Sequence, residues 1–429
     1  MRSLTRTALT ATTLAVALAL AACGGSPTGG GTSTDGGDPT GSAPAGGDAP
    51  QEVTFWGSWS GAQAEQLDKQ AAAFNAAQDR YVVTYVPQEL VEEKLLTAVA
   101  GGSVPDIVLW DRYQTSLYAQ TNALAPIDDF IESSDVDLDQ FYEQALSEMI
   151  VDGETYGLPL LVDNRSLFYA TDALAEAGLE PPTTWDELRS VAEALTIRSG
   201  NRLERSGFAL NDPGLFNVWL TQAGGSMYTE DGSATAFNGP EGLEVLDFWS
   251  SLLDAGVYEV GFGEGVDAFA EGIVTMKYDG PWALADLDAA DVEYGIVPPP
   301  TGPGGQGAGM GGFGLVIPNG AKNAEGAWEF MKWWTTQPEN GVEFAKISGW
   351  IPANIEAAND PYFTENESYA AFIETMSFAK VRSRTPGASD VEGKALIPAL
   401  ERFLSGEIDA ETALADAQRL GDQILADNR

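Results

Sequence analysis

Residues 51–87 read QEVTFWGSWSGAQAEQLDKQAAAFNAAQDRYVVTYVP, and the rest of the chain repeats the pattern they set. Val53-Thr54-Phe55-Trp56 is a short apolar run of the kind that makes a buried strand, and Gly57-Ser58-Trp59-Ser60 is a loop. Ser60 is placed to cap a helix in which Leu67, Ala71 and Phe74 fall at helical spacing. Tyr81 to Val86 is a second strand, Glu89 to Val99 a second helix, and Pro105-Asp106-Ile107-Val108-Leu109-Trp110 a third strand. Further on, Thr184 and Glu187 form a capping box ahead of Leu188, Val191 and Leu195. Glu241 to Leu253 is another amphipathic helix, closed by Gly256. Strands alternating with helices predict an α/β protein with mostly parallel sheets.

The chain has 429 residues, with 22 basic side chains against 64 acidic ones and no histidine. That length fits two lobes rather than one small domain. Apolar residues at 44% and charged residues at 20% are an ordinary globular balance. A single cysteine excludes a disulfide framework. With no histidine beside it, a conventional zinc site and a histidine-dependent triad are excluded as well. A net charge of −42 opposes nucleic acid as a partner, because phosphate binding needs a basic surface. No metal or other cofactor is expected. A binding protein or a carboxylate-based enzyme remains.

Arg2 and Arg6 precede an uncharged apolar run from Ala8 to Ala22. The run is shorter than the ~20 residues a spanning helix needs and has the form of a signal segment. It ends in Leu20-Ala21-Ala22-Cys23, which resembles a bacterial lipobox. Residues 1–22 are then a signal peptide, and Cys23 carries a lipid anchor of acyl chains, each buried CH₂ contributing ~0.8 kcal/mol. Cleavage removes Arg2 and Arg6 and leaves a charge of −44. From Gly24 to Pro50 the chain is almost wholly Gly, Ser, Thr, Pro, Ala and Asp, a disordered tether with a reach of ~30 Å.

Across the remaining chain a set of short motifs falls in a familiar order. They are Val53-Thr54-Phe55-Trp56, Pro105-Asp106-Ile107, Asp152-Gly-Glu-Thr-Tyr-Gly-Leu-Pro159, Phe168-Tyr169 and Ala177-Gly178-Leu179. Pro182-Thr-Thr-Trp-Asp-Glu-Leu188, Gly224-Gly225, Gly272 with Met276, Gly280-Pro281-Trp282, Gly311-Gly312 and Ala327-Trp328-Glu329-Phe330 follow. In this order they resemble the family 1 extracellular solute-binding proteins of ABC importers, the group containing maltose-binding protein. Ala170 departs from the asparagine usual in the family after the tyrosine.

The resemblance implies a two-lobed α/β periplasmic-binding-protein fold of type II, with discontinuous lobes joined by several crossing strands. Lobe 1 would hold residues 51–163 with about 312–355, and lobe 2 residues 164–311 with about 356–429. Crossings would lie near Val162–Ser166, near Pro298–Gly311 and after Pro352. It further implies a carbohydrate ligand, an ABC permease as partner, monomeric action, and a lipid-anchored place on the outer face of the cytoplasmic membrane. Asp111 and Arg112, after the third strand, match a pair that binds sugar hydroxyls in maltose-type relatives. Asp163 and Asn164 match the place of a sugar-binding carboxylate, and Trp282 the place of a stacking indole.

Sugars present flat C–H faces and a rim of hydroxyls, so aromatic side chains and planar polar groups are the residues to look for. Trp350, in Ser348-Gly349-Trp350-Ile351-Pro352, sits in an exposed-turn setting like that of Trp282. Trp56 and Trp59 flank the end of the first strand, one expected in the cleft and one in packing. Asn217 and Trp219, ahead of Gly224-Gly225, are expected contacts from the second lobe. Arg382 and Arg384 are candidate cleft donors, with a salt bridge the favoured role in so acidic a chain, and Trp185, Trp249, Trp328, Trp333 and Trp334 are assigned to packing. Gly214 follows Asp212-Pro213 where maltose-type relatives carry an aromatic, which speaks against maltose itself.

Two other motifs fail on context. Gly307-x-Gly309-x-x-Gly312 spells the dinucleotide fingerprint but leads into the strand Phe313-Gly-Leu-Val-Ile317, where the fingerprint needs a helix. Asp135-x-Asp137-x-Asp139 begins like a calcium loop, yet the sixth position is Gln140 and the twelfth Leu146. The alternatives to a sugar receptor are a surface glycoside hydrolase using two carboxylates, such as Asp111 and Asp163, and a receptor for a polyamine or peptide.

Overall fold

In the first sheet Gln51–Gly57 lies between Tyr81–Pro87 and Ile107–Asp111, parallel to both. Phe313–Val316 joins antiparallel beside Ile107–Asp111, and Gly157–Pro159 closes the edge. The helix Gly61–Ala77 buries Leu67, Ala71 and Phe74 as their spacing predicts. Ser60 stands at its N-cap in extended conformation, but its side chain makes no capping bond. This computed structural model describes residues 49–428. The expected signal peptide, the anchor at Cys23 and the tether up to residue 48 lie outside the described residues. Among the described residues no helix is long and apolar enough to cross a membrane.

The second sheet departs from the parallel expectation. Its central strand Ser166–Ala170 is flanked by Met276–Asp279 and Tyr294–Val297, both antiparallel to it. Tyr294–Val297 leads back towards the first sheet through residues 298–311, so it runs against the strand that came out. The helix Trp185–Leu195 starts at Thr184, whose hydroxyl accepts the Glu187 N–H at 3.2 Å. Glu187 reaches one residue further than the capping box predicts and accepts the Thr183 N–H at 2.8 Å.

A third sheet carries the chain between these two. Leu161–Asn164 pairs antiparallel with Ile351–Pro352 on one side and Ala308–Gly311 on the other, and Ala379–Val381 lies outermost, parallel to Ala308–Gly311. One apolar core gathers Phe55, Leu109, Phe330, Trp334 and Phe344 around the first sheet. A second gathers Trp185, Phe216, Trp219, Trp249 and Leu400. The C-terminal segment is shared between them: Phe363, Tyr369 and Phe372 pack in the first core, and the chain enters the second only from Ala388. Phe372 also meets Phe168 of the second sheet at 5.9 Å between ring centroids, so the helix Glu367–Met376 bridges the crossing strands and the second sheet.

Arg112 is fully buried at the junction of the sheets. Its Nε donates to Glu148 Oε2 at 3.0 Å, and its terminal nitrogens donate to the carbonyls of Leu161, Gly311 and Phe313. Gly312 makes room for it: φ is +126°, and a Cβ there would stand 2.1 Å from the Leu161 oxygen and 2.6 Å from Arg112 Nη1. Removing one partner of a buried ion pair strands the other charge at a cost of ~3–5 kcal/mol, whereas an exposed pair contributes ~0–1 kcal/mol. Urea unfolding should accordingly show Glu148→Gln losing several kcal/mol, while Glu325→Gln, at the exposed Arg80–Glu325 pair, stays within about 1 kcal/mol of the parent.

Candidate functional site

Where the crossing strands meet the two cores there is a cavity of about 340 Å³. One wall is a column of stacked planes. Phe344 of the first core lies under Trp59 at 6.3 Å between ring centroids and 17° between planes. Trp59 stacks on Trp350 at 5.4 Å and 25°, and Trp350 meets Trp282 at 4.9 Å and 37°. The guanidinium of Arg165 ends the column, 4.2 Å from the Trp282 ring centre. Phe313 braces the middle, edge-on to both Trp59 and Trp350. The indole N–H of Trp350 is buried and has no acceptor, an unfulfilled donor in a residue of the cavity wall.

The column follows from local sequence. Trp282 comes after the strand Met276–Asp279, and Asp279 Oδ1 accepts the Gly280 N–H at 2.8 Å to tighten the turn. The indole folds back over Gly280 so closely that a Cβ there would be 2.0 Å from the ring, so any larger residue would push the indole from its place. Trp350 follows Gly349, which ends the helix Pro338–Ser348 in left-handed conformation.

The polar side chains of the cavity are Gln63, Asp111, Asp163, Asn217, Arg165 and Arg382. Asp111 is the last residue of its strand, and Asp163 sits opposite Gly311 in the crossing sheet. A Cβ at Gly311 would lie 3.0 Å from both Asp163 carboxylate oxygens. Arg165 Nη1 donates to Asp163 Oδ1 at 2.7 Å. Arg382 lies over the Tyr113 ring at 4.6 Å and pairs with Glu392 at 3.4 Å, the latter carried on a π-helical turn, Val391–Leu396. Two further chambers adjoin. One of about 380 Å³ shares Arg165 and Trp282, and one of about 390 Å³ shares Asn217, Gly309 and Arg382.

Trp59, Asp111, Asp163, Asn217, Trp282 and Trp350 are thus brought together, and the other four candidates are not. Trp56 packs with Trp110 and Tyr118 on the far face of the first sheet. Arg112 is the buried junction residue described above. Asn164 is turned inward and donates to the Phe372 carbonyl at 2.8 Å. Trp219 is 1% exposed inside the second core, 5.4 Å from Trp185 and 5.2 Å from Tyr278. It lies two positions from Asn217 on one helix, and residues at i and i+2 do not share a face. Arg384 makes a hydrogen bond to the Ser147 carbonyl at 2.9 Å in place of the expected salt bridge. Arg382 does form its ion pair but lines the cavity too. Arg165 was missed, although the strand period of two places it on the same side as Asp163.

A family model described as bacterial extracellular solute-binding protein matches residues 69–371. The maltotriose-binding protein of Pyrococcus abyssi is 26% identical over 353 residues, covering 80% of this chain and 75% of its own length. The GacH receptor of Streptomyces glaucescens, solved unliganded and with acarbose, superposes with a TM-score of 0.78 at 26% identity, covering 89% of this chain and 100% of that one. The cyclic α-maltosyl-1,6-maltose binding protein of Arthrobacter globiformis gives 0.74 at 27%, covering 88% and 100%.

Burial pushes the Asp111 carboxyl up to about 7 against the opposing pull of Arg382, with Glu148 adding to the rise. Burial likewise raises Glu392, opposed by Arg382. Burial would lower Arg382, but Glu392 and Asp111 outweigh it and hold the guanidinium above its ordinary value. Between the ordinary carboxylate range and about 7 the folded protein keeps a proton on Asp111 that the unfolded chain releases, so this group's contribution to stability falls as pH rises through that window. Asp111→Asn should lose less stability than the parent between pH 4.5 and 8 in urea titrations. Equal pH slopes would place the proton elsewhere.

Proposed function

The chain belongs to the bacterial extracellular solute-binding proteins, and from that premise we propose that it captures a carbohydrate, best an oligosaccharide, without altering it chemically. The observation that carries this reading is the aromatic column facing carboxylates and an amide in one cavity. Indole faces suit the apolar faces of sugar rings, and Asp111, Asp163 and Asn217 suit their hydroxyls. The adjoining chambers favour a ligand longer than one ring. A polyamine fits less well, because two guanidiniums, Arg165 and Arg382, share the cavity with the carboxylates. The relatives that bind maltotriose and acarbose support the same class.

The mechanism follows from the crossing strands. A ligand that touches both lobes favours the closed arrangement by its differential affinity for it, and closure occurs about the hinge. An ABC permease would read the closed shape and take the solute. Lipidation at Cys23 and the tether behind it would keep a monomeric receptor at the outer face of the cytoplasmic membrane, within reach of that permease.

One observation favours a second reading. Asp111 holds its proton to about 7 in a cavity that Asp163 also lines, and a carboxyl kept protonated near neutral pH is what a glycoside hydrolase uses as its general acid. A thermal-shift screen over mono- and oligosaccharides, followed by recovery of the ligand, separates the two: a raised melting temperature with intact sugar supports capture, progressive cleavage supports hydrolysis. No stabilisation by any sugar would remove the carbohydrate class. Trp282→Ala should weaken binding more than tenfold, ~1.4 kcal/mol, with a smaller loss of stability than removal of a core tryptophan. Trp219→Ala should instead destabilise the ligand-free fold by ~3–5 kcal/mol, and the two variants differ in calorimetric titration and urea unfolding.

A further inference from the structure

Arg165 stands on the two groups that a sugar would need most. Its guanidinium covers Trp282 at 4.2 Å and donates to Asp163 at 2.7 Å. A guanidinium is flat, delocalised and weakly hydrated, so it stacks on an indole much as the C–H face of a sugar does. Its N–H edge serves a carboxylate as a hydroxyl would. Arg165 therefore satisfies Trp282 and Asp163 together, and Asp163, 5% exposed, would otherwise be a buried carboxyl short of donors.

The side chain also has somewhere to go. Arg165 lines the adjoining chamber of about 380 Å³, which contains Asp212, Glu264, Asp267 and Asp279. Lys277 is the other cation there, paired with Asp279 at 2.7 Å and Asp267 at 3.9 Å. That surplus of carboxylates can receive a second positive group. Arg165 stands between the crossing strand Leu161–Asn164 and Ser166–Ala170 and lines both chambers, so its side chain is placed to turn from one to the other.

Resting on the carbohydrate reading above, we infer that Arg165 is an internal competitor for the ligand: it occupies the sugar's place on Trp282 and Asp163, and it must rotate into the acidic chamber before a ring can stack. It acts by covering the site and thereby sets the affinity. Removing it leaves the ligand-free state with an uncovered indole and an unpaired carboxylate, while the liganded state loses little.

Calorimetric titration of the whole chain with maltotriose and with acarbose, for the parent, Arg165→Ala and Arg165→Lys, tests this. Arg165→Ala should bind about tenfold tighter, the scale of one lost cation–π contact. Its ligand-free melting temperature should fall while the saturated one holds, so that the ligand-induced shift widens. Arg165→Lys, which keeps the charge but not the flat stack, should gain less, and it serves if the alanine variant does not fold. A residue that merely supports the fold gives no gain in affinity. Equal or weaker binding by folded variants, with the parent binding, overturns the inference and leaves the carbohydrate reading standing. If neither parent nor variants bind either sugar, that reading fails for these ligands, and the inference falls with it. Binding by Arg165→Ala alone supports both.

Discussion

The Arg112 guanidinium, shut away from solvent, holds three strand ends together at the centre of this molecule. It presents five N–H donors in a rigid plane, and the structure directs them at Glu148 and at the carbonyls of Leu161, Gly311 and Phe313. Those carbonyls belong to the segments where the chain leaves and re-enters the first sheet. Asp111 precedes Arg112, Asp163 lies two residues past Leu161, and Gly311 faces Asp163. The polar floor of the cavity is in this way set by the crossing strands.

Adjacent residues divide between that floor and the interior behind it. Asp111 faces the cavity and Arg112 the junction; Asp163 faces the cavity and Asn164 the helix Glu367–Met376, through the Phe372 carbonyl. Asn217 faces the cavity and Trp219 the second core. In each case the backbone period sends near neighbours to opposite sides, so a motif that names both members overcounts by one. Arg112 and Asn164, which turn inward, are no less constrained, since each has found hydrogen-bond partners there.

The aromatic column contributes in a different way. Its lower members, Phe344 and Trp59, are part of the first core, and Trp282 is held by the turn at Gly280 beyond the second sheet. The contact between Trp350 and Trp282 is therefore made across the cleft, by side chains whose supports lie on different sheets. Stacking is tolerant of small sliding movements, and planar groups can be exchanged within a stack at little cost in geometry. A cleft built from such planes can be occupied by its own Arg165 or by a ring of similar shape.

Local pattern carried much of the fold by itself. The alternation of apolar runs and helical spacing from Val53 to Trp110, the capping box at Thr184 and the order of the short motifs suffice for two α/β lobes, because hydrophobic periodicity and turn chemistry act over a few residues. Gly280-Pro281-Trp282 was legible too, since a tight turn presents whatever follows it. The antiparallel second sheet was not legible, because pairing direction depends on where distant strands return. Nor was the inward turn of Arg112, Asn164 and Trp219, because whether a polar or aromatic side chain meets cavity or core is decided by what stands opposite it. Glu148, Phe372 and Phe248, the groups that meet these three, are respectively 36, 208 and 29 positions away in sequence, and only the folded chain brings them close enough to complete a hydrogen bond or exclude water.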